Sequence, residues 1–486
     1  MLSTIAVAAT ALLPLALAQT ESNETVLGVY MFHRHGDRTA KSTPPANLTD
    51  LGYAEVYTSG QYYRNRYISS DATYRINGIN ADLVKQSQIA VSAPADTVLQ
   101  NSAMGFLQGL YPPVGDAMGT QTLRNGTNVT SPLNGYQLIP ISLVSSGTGS
   151  EDAGWLQSTS NCAKATISSN NYFNSEEYLN YLNSTQDFYN NILPVINATF
   201  NASQDSFKNA YTIFDLINVA LIHNSTISGA DLLTNETFFQ LRTLADAHEW
   251  GLAYNASDDM RAITGKTLAG QIVEFLNTTI TGKGKSKIGV QFGAYGTFAS
   301  FFGLADLPMV NPDFTGVADY ASAMTFELFT NTSATISSTS YPSADEIYVR
   351  FLFHNGTTSN TSEPVAYPLF GSGMEALSWN DFTNGMNNFA IGSTEKWCTE
   401  CGNFTGTCAA YAPASSSSSS NDGSSSGSGG NGLSPAVNGV IGAMVTLAVI
   451  LGLEAIILLV GGLRVVSKKR LQSPVSSLSE NAGTKA

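Results

Sequence analysis

The sequence predicts an α/β domain in which a sheet flanked by helices is interrupted by a helical insertion. Short runs rich in β-branched and aromatic residues alternate with segments of helical periodicity near both ends of the domain. Between about residues 165 and 285 the segments are helical, and the strand pattern returns afterwards. This alternation is typical of a sheet with helices packed on its faces.

The first predicted elements are two strand–helix pairs. Residues 26–33 (VLGVYMFH) are rich in β-formers, and Thr49 or Asp50 can cap the helix that follows. Residues 87–93 (SQIAVSA) predict a second strand, and residues 102–113 (SAMGFLQGLYPP) predict a short helix ended by two prolines.

The sequence of the rest of the domain predicts several helices followed by further strands. The helices lie in the insertion, whereas the later strands complete the sheet. The predicted elements are helices at 176–193, 212–223 and 260–276, a strand at 287–295, a helix at 296–304, and strands at 322–330 and 346–354.

Segments outside this domain predict a single-pass membrane protein. Residues 1–18 resemble a secretory signal peptide cut before Gln19, and residues 436–463 are apolar for a length that can cross a bilayer. Glu454 is the one awkward residue, since a central carboxylate costs about 2.5–3.5 kcal/mol on insertion scales. The basic residues that follow place residues 464–486 in the cytoplasm as a tail. A Ser/Gly-rich stalk at 411–435 then links the membrane to an ectodomain at 19–410.

Composition supports an extracellular ectodomain, at the plasma membrane or cell surface or in a vacuole. Fifteen Asn-x-Ser/Thr sequons lie within it and none in the tail, which predicts N-glycans. Four cysteines predict two disulfides in an oxidising compartment, with the pairing left open. The formal net charge of −14 excludes a broadly basic nucleic-acid surface.

The motif FHRHGDRT (residues 32–39) follows the first predicted strand and has the chemistry of a phosphate pocket. Arg34 and Arg38 can each bind phosphate oxygens with two N–H groups. Gly36 lets the backbone approach closely, and His35 can attack phosphorus if an acceptor holds its other ring nitrogen. An exposed polar turn with an incidental histidine is the alternative interpretation of the same residues.

The sequence resembles the histidine acid phosphatases, branch 2 of the histidine phosphatase superfamily, and is most similar to fungal membrane-anchored members. RHGDRT resembles the family signature RHGxRxP, and later blocks follow in the family's order: NLTDLGYAEVYTSGQYYRNRY, SAMGFLQGLYPP, DYASAMTFEL and YVRFLFHNGT. The resemblance implies a phosphoglycerate-mutase-like sheet core with a helical cap at about 165–285. It also implies that His35 is the nucleophile and that Arg34 and Arg38 bind the phosphoryl group.

Two parts of the family pattern are missing from this sequence. The family has a third arginine before SAMGFLQGLYPP, but between Arg75 and Arg124 the only cation is Lys85. An HD pair that supplies the proton donor is expected where Ala294, Tyr295 and Gly296 stand. The proton donor therefore stays unassigned, and each loss is of a kind that costs about 10²–10³ or more in rate.

The other histidines are expected to have structural places. His354, which Asn355 follows in a sequon, is expected at an exposed strand end; His33 is expected to support or pack against the motif. His223 and His248 lack metal-ligand spacing and are expected in the core or cap. Neither a metal nor a cofactor is expected, and Asp37 could act as a substitute acid.

Three functional hypotheses follow. The first is a membrane-anchored extracellular phosphatase that hydrolyses a phosphorylated small molecule or other phosphoester through a phosphohistidine at His35, slowed by the missing parts. The second is a pseudophosphatase or cell-surface binding protein that uses the Arg34/Arg38 pocket without turnover. The third is a glycan-coated surface protein with a vestigial pocket. Retention of all three motif residues favours phosphate binding over a vestige.

Overall fold

The computed structural model describes residues 24–143, 161–332 and 335–413. Its strands are β1 (Thr25–Arg34), β2 (Ile89–Ala93), β3 (Thr120–Thr122), β4 (Asn128–Thr130), β5 (Ser142–Leu143), β6 (Ile288–Gly293), β7 (Ala323–Thr330), β8 (Ile347–His354), β9 (Val365–Ala366) and β10 (Ala376–Ser378). Its helices are α1 (Asp50–Tyr67), α2 (Thr97–Leu110), α3 (Gly115–Gly119), α4 (Pro132–Gly135), α5 (Ala163–Asn171), α6 (Glu176–Ser184), α7 (Gln186–Ile196), α8 (Ala210–His223), α9 (Asn235–Ala253), α10 (Ile263–Thr281), α11 (Tyr295–Leu304), α12 (Trp379–Asn387) and α13 (Thr394–Cys401).

Apart from the β3–β4 pair, these strands form one mixed sheet. Its order is β10-β8-β7-β1-β6-β2-β5, with β9 paired to β8. Four strands run parallel to one another: β1, β6, β2 and β5. Strand β7 runs antiparallel to β1, β8 antiparallel to β7, and β10 antiparallel to β8. Every residue of the central strand β1 after Thr25 is buried. Burial on both faces explains why this strand is almost continuously apolar in sequence.

Successive residues of β1 point to opposite faces of the sheet, and each face carries its own helices. On one face Met31 packs in a cluster with Val56 of α1 and Phe106 of α2. On the other face Phe32 packs in a cluster that includes residues of α10, α11 and α12, such as Phe298. The predicted α/β class, a sheet with helices on its faces, is confirmed.

The predicted elements are present, with differences at their boundaries. Thr49 caps α1 by accepting from the Gly52 N–H. Helix α2 starts five residues earlier than the apolar pattern indicates, because Asp96 caps it through the Leu99 N–H at 3.0 Å. The segment 176–193 is two helices, since Thr185 leaves helical geometry and its hydroxyl bonds the Tyr181 carbonyl at 2.7 Å. The sequence did not predict the helices α5, α9, α12 and α13 or the short helices α3 and α4.

The described residues between β5 and β6 form the helical insertion, which has its own apolar cluster. Phe207, Ile213 and Leu241 belong to this cluster. Tyr295, from the start of α11, and Val317, from the loop before β7, join it from the sheet side. The insertion therefore packs against the edge of the sheet at which β1 and β6 end.

Two disulfides settle the pairing that the sequence left open. Cys162 is bonded to Cys401, and Cys398 is bonded to Cys408. Cys398 and Cys401, which are spaced as a CxxC pair, thus have different partners and do not form a disulfide with each other. The longer link joins the start of the helical insertion to the end of the described chain.

Several predicted segments lie outside the described residues. They are the signal peptide (1–18), the stalk beyond residue 413, the transmembrane segment (436–463) and the cytoplasmic tail (464–486). In the part of the chain that the structure covers, no helix has the length and apolar character needed to span a membrane.

Candidate functional site

The motif loop lies where β1 and β6 end side by side. Arg34 pairs in register with Gly293, so the residues after β1 lie beside the start of α11. The segment before β7 closes the other side: the Arg34 N–H donates to the Ser322 carbonyl, and the Ala321 N–H donates to the His35 carbonyl, both at 2.8 Å. In open α/β sheets, ligands bind at such strand ends, where neighbouring connections diverge.

Close contact with α1 fixes the loop. A Cβ on Gly36 would lie 2.1 Å from the Gly52 carbonyl oxygen, and one on Gly52 would lie 2.0 Å from that of Asp37. Only glycines fit at this approach. The backbone N–H of Asp37 also donates to the Glu55 carboxylate at 2.7 Å, which ties the loop to the same helix.

The imidazole of His35 is fully buried and has a defined orientation. Its Nδ1 lies 2.7 Å from the Gly36 carbonyl oxygen, and its ring centroid lies 5.6 Å from that of Tyr320. A carbonyl can only accept, so Nδ1 carries the proton when this hydrogen bond forms. The lone pair is then on Nε2, which is the arrangement a nucleophilic histidine needs.

Arg34 and Arg38 converge on one tyrosine hydroxyl. Tyr211 Oη accepts from Arg34 at 3.4 Å and from Arg38 at 3.3 Å, and Arg34 also donates to the Ala318 carbonyl. The Arg34 guanidinium lies 4.7 Å from the ring centroid of Tyr320 and 5.2 Å from that of Tyr295. Aromatic faces stabilise the cations there and do not use up their N–H groups.

Asp215, from the helical insertion, forms an ion pair with Arg38. The two oxygens of Asp215 lie 2.9 and 3.2 Å from Arg38 Nη1, and these side chains are 2% and 0% exposed. Asp215 also accepts from the Lys41 backbone N–H at 2.8 Å and from the Tyr320 hydroxyl at 3.4 Å. Three groups around the motif thus converge on this carboxylate.

Other residues stand at the positions where the family has its third arginine and its HD pair. In the block before α2, Asp96 caps the helix, and the block supplies no cation to the site. At the start of α11 the Tyr295 hydroxyl donates to Glu249 at 2.7 Å. Burial opposes ionisation of Glu249, but bonds from His248 and Tyr295 and the charge of Lys41 hold its pKa below the usual range. Glu249 is therefore a carboxylate, not an acid ready to donate a proton.

Asp37 acts as a hydrogen-bond acceptor in the motif loop. Its Oδ1 accepts from the Thr49 hydroxyl at 2.5 Å and lies 2.6 Å from Nε2 of His223, which is at the end of α8. The side chain of Asp37 is fully buried and that of His223 is 32% exposed. Sequence reasoning assigned His223 a core or cap position, and the contact with the motif loop was not foreseen.

The other histidines have the structural places expected of them. His33 is buried between Phe292 and Phe106, with ring centroids 5.0 and 5.1 Å away, and burial lowers its pKa to about 4. His248 is buried beside Glu249. His354 ends β8, is half-buried rather than exposed as expected, and contacts the Ser362 hydroxyl at 3.1 Å.

Tyr211 and Asp215 are the site residues that sequence reasoning missed. They are four residues apart on α8 and therefore share one helix face. A usable signal was present: Asp215 is the only charged residue in the apolar run TIFDLINVALI, and a carboxylate inside a buried helix requires a partner. That partner lies 177 residues away in sequence, so local patterns could not identify it.

The arrangement can bind a tetrahedral oxyanion beside a nucleophile. Arg34 ends β1, His35 and Arg38 lie in the loop that follows it, and phenol rings from three other elements surround them. Arg34 Nε is buried and lacks a hydrogen-bond acceptor among the described residues. A buried donor of this kind marks a place where an anion can bind.

Comparison with known proteins agrees with this geometry. The family model of the histidine phosphatase superfamily (branch 2) matches residues 43–354, which starts just after the motif. Prostatic acid phosphatase of Bos taurus is 24% identical over 316 residues, covering 62% of this chain and 73% of the relative.

Solved structures share the fold at low sequence identity. The apo phytase of Hafnia alvei is 13% identical with a TM-score of 0.51, covering 78% of this chain and 98% of that one. The phytase of Citrobacter braakii is 14% identical with a TM-score of 0.50, covering 78% and 99%. Because the family model spans more than half of the sequence, the chain belongs to the histidine phosphatase superfamily, branch 2.

Proposed function

We propose that this protein is a membrane-anchored extracellular phosphatase that hydrolyses phosphomonoesters through a phosphohistidine at His35. The observation that carries the proposal is the orientation of His35, whose Nδ1 bonds the Gly36 carbonyl at 2.7 Å beside two arginines. The sequence relative is named an acid phosphatase and the structural ones phytases, which supports the same reaction class. The substrate is a phosphorylated small molecule or other phosphoester.

The reaction consists of two displacements at phosphorus. His35 Nε2 attacks, a P–N bond forms, and the bond between phosphorus and the leaving oxygen breaks. Arg34 and Arg38 stabilise the charge on the other phosphoryl oxygens. Asp37 and Glu249 are engaged as acceptors, so solvent or another carboxyl group protonates the leaving alkoxide. Water then attacks the phosphohistidine, the P–N bond breaks, and inorganic phosphate is released.

The membrane and extracellular parts of the proposal rest on sequence. They are supported by the apolar segment at 436–463 with its basic flank, the predicted signal peptide and the fifteen sequons. Exposed asparagines within described sequons are consistent with glycan attachment, for example Asn47, Asn125 and Asn235. Two disulfides fit an oxidising compartment.

A pseudophosphatase is the second candidate, and one observation favours it. Asp215 already contacts Nη1 of Arg38, and Ala294, Tyr295 and Gly296 stand where the family's HD pair is expected. A pocket in this state can bind a phosphorylated ligand while turning it over slowly or not at all. The third arginine is missing as well, which acts in the same direction.

One experiment separates the two candidates. The purified full-length protein is incubated with several phosphomonoesters across acidic pH, beside His35→Ala and Arg34→Ala. Phosphate release that disappears in His35→Ala supports the hydrolase. Release that persists in His35→Ala rules out the phosphohistidine mechanism. Absence of release, together with saturable phosphate binding that Arg34→Ala abolishes, establishes the pseudophosphatase.

A further inference from the structure

Asp215 presents to Arg38 the same chemistry that a phosphoryl group would present. Both oxygens of the carboxylate contact Arg38 Nη1, at 2.9 and 3.2 Å. The backbone N–H of Lys41 and the hydroxyl of Tyr320 complete the set of donors. A charged acceptor with two oxygens, held by a guanidinium and neighbouring donors, has the hydrogen-bonding pattern of a bound phosphate.

An incoming phosphate and Asp215 cannot both bind Nη1 of Arg38. The carboxylate is 2% exposed and Arg38 is fully buried, so water screens little of the repulsion between two anions at this point. While Asp215 holds Nη1, the anion loses that donor of Arg38 and depends more on Arg34. The pocket then offers an anion fewer guanidinium donors than it does after Asp215 has moved away.

Asp215 belongs to a different part of the fold from Arg38, so a ligand can replace it at Arg38. Asp215 lies on α8 in the helical insertion, whereas Arg38, Lys41 and Tyr320 lie on loops at the sheet edge. The contact therefore joins two layers and is not enclosed within one. A shift of α8 would move the carboxylate without changing the pairing of the sheet strands.

We infer that Asp215 is an affinity-determining residue of the phosphate pocket: its carboxylate competes with the substrate's phosphoryl oxygens for Arg38. This inference rests on the proposed function, because it takes the pocket between Arg34 and Arg38 to be a phosphate site. Phosphate binds the wild-type protein only by displacing Asp215. Loss of the carboxylate's charge consequently raises affinity, the reverse of what loss of an ordinary binding residue does.

The test is binding of inorganic phosphate to the purified full-length protein by isothermal titration calorimetry. Asp215→Asn keeps the size and the acceptor oxygen but removes the charge. We expect its Kd to be about tenfold lower than that of the wild type or lower still, which corresponds to about 1.4 kcal/mol. Glu327→Gln is the matched control, since Glu327 is also a buried carboxylate paired with an arginine but lies outside the site. Its Kd should equal that of the wild type.

A second variant covers the case in which Asp215→Asn folds poorly. In Asp215→Ala the place of the carboxylate is open to a small acid, so added acetate should compete with phosphate. Acetate should compete far less in the wild type, where Asp215 already occupies Arg38. A purely structural role for Asp215 would produce no such difference. Thermal unfolding of each variant confirms that the compared proteins are folded.

The outcomes separate this inference from the proposed function. Equal phosphate affinity in Asp215→Asn and wild type, with binding lost in Arg34→Ala, overturns the role of Asp215 and leaves the phosphate pocket in place. Weaker binding in Asp215→Asn overturns it also, because Asp215 would then support the ligand. If neither protein binds phosphate, the pocket itself is contradicted and the proposed function with it.

Discussion

Two buried arginine–carboxylate centres in this protein look alike and differ in what they connect. In the first, Glu327 on β7 accepts from Arg66 and Tyr67 of α1, at 2.8 and 2.6 Å, and from Arg350 of β8 at 3.3 Å. In the second, Asp215 on α8 accepts from Arg38 in the motif loop. The two carboxylates are 1% and 2% exposed.

The difference lies in the elements that each centre joins. Strands β7 and β8 already pair along their length and α1 packs on the same sheet, so Glu327 connects parts that other contacts hold together. Asp215 connects the helical insertion to the sheet edge, next to a histidine and a second arginine. The comparison teaches that equal burial does not mean equal role: the first centre stabilises the fold, and the second regulates access to a ligand site.

The largest effect is expected for loss of the structural carboxylate. Glu327→Ala leaves two arginines near a buried position without their shared partner, and breaking a buried pair costs about 3–5 kcal/mol of unfolding free energy. Urea denaturation of the wild type and the variant measures this. Asp215→Ala should cost less, because it removes the partner of one arginine rather than two and because Arg38 keeps its contacts with Tyr211 and Thr39. Equal losses in the two variants would remove the distinction between the centres.

A second prediction concerns acid and a residue that belongs to neither centre. Burial lowers the pKa of His33 from 6.5 to about 4, so below pH 6.5 the unfolded chain gains a proton that the folded chain refuses. His33 therefore does not lower the free energy of unfolding above pH 6.5, but lowers it progressively as the pH falls toward 4. The loss amounts to roughly 3 kcal/mol.

His33→Phe tests this assignment, because phenylalanine fits between Phe106 and Phe292 and does not titrate. Urea denaturation at neutral and acidic pH should show a smaller loss of stability on acidification in the variant than in the wild type. Parallel pH curves for the two proteins would show that His33 does not carry the acid sensitivity.

A third, somewhat smaller effect sharpens the comparison through ligand rescue. Phosphate at about 100 times its Kd should raise the unfolding free energy of Asp215→Asn by about 2.7 kcal/mol, since the ligand binds only the folded state. The same phosphate concentration should raise the stability of Glu327→Gln no more than that of the wild type. Phosphate rescue of Glu327→Gln beyond the wild-type effect would place an anion site at the wrong centre.

The smallest effect is expected at Tyr211. Its hydroxyl contacts both arginines at 3.3–3.4 Å, and removal of one neutral hydrogen-bonding group is worth about 0.5–1.5 kcal/mol. In the Asp215→Asn background, Tyr211→Phe should therefore change the Kd for phosphate by about two- to tenfold, as calorimetry can show. A change of a hundredfold or more would mean that Tyr211, and not the arginine pair, dominates anion binding.

Local sequence patterns predicted most of the fold and half of the site. The strand before the motif, the cap at Thr49 and the order of strands and helices follow from periodicity and capping chemistry over a few residues. The positions of His35, Arg34 and Arg38 within one loop are likewise local. The disulfide pairing was not, because four cysteines allow three connectivities.

The other half of the site depends on contacts that no local pattern encodes. Asp215 meets Arg38 across 177 residues, and His223 meets Asp37 across 186. Each pairing depends on how the helical insertion settles on the sheet edge, which is decided by an apolar cluster that Tyr295 and Val317 join from outside. The position of Asp215 in an apolar helix indicated that the carboxylate has a partner, but it did not indicate which residue that partner is.

The most direct test of the account is to trap the phosphorylated residue. The wild type, Asp215→Asn and His35→Ala are incubated with a phosphomonoester, quenched at alkaline pH, and mapped by peptide mass spectrometry. We predict a phosphorylated His35 with higher occupancy in Asp215→Asn than in the wild type, and no phosphohistidine in His35→Ala. Phosphorylation of another residue that persists in His35→Ala, or none in any of the three proteins, would contradict the account.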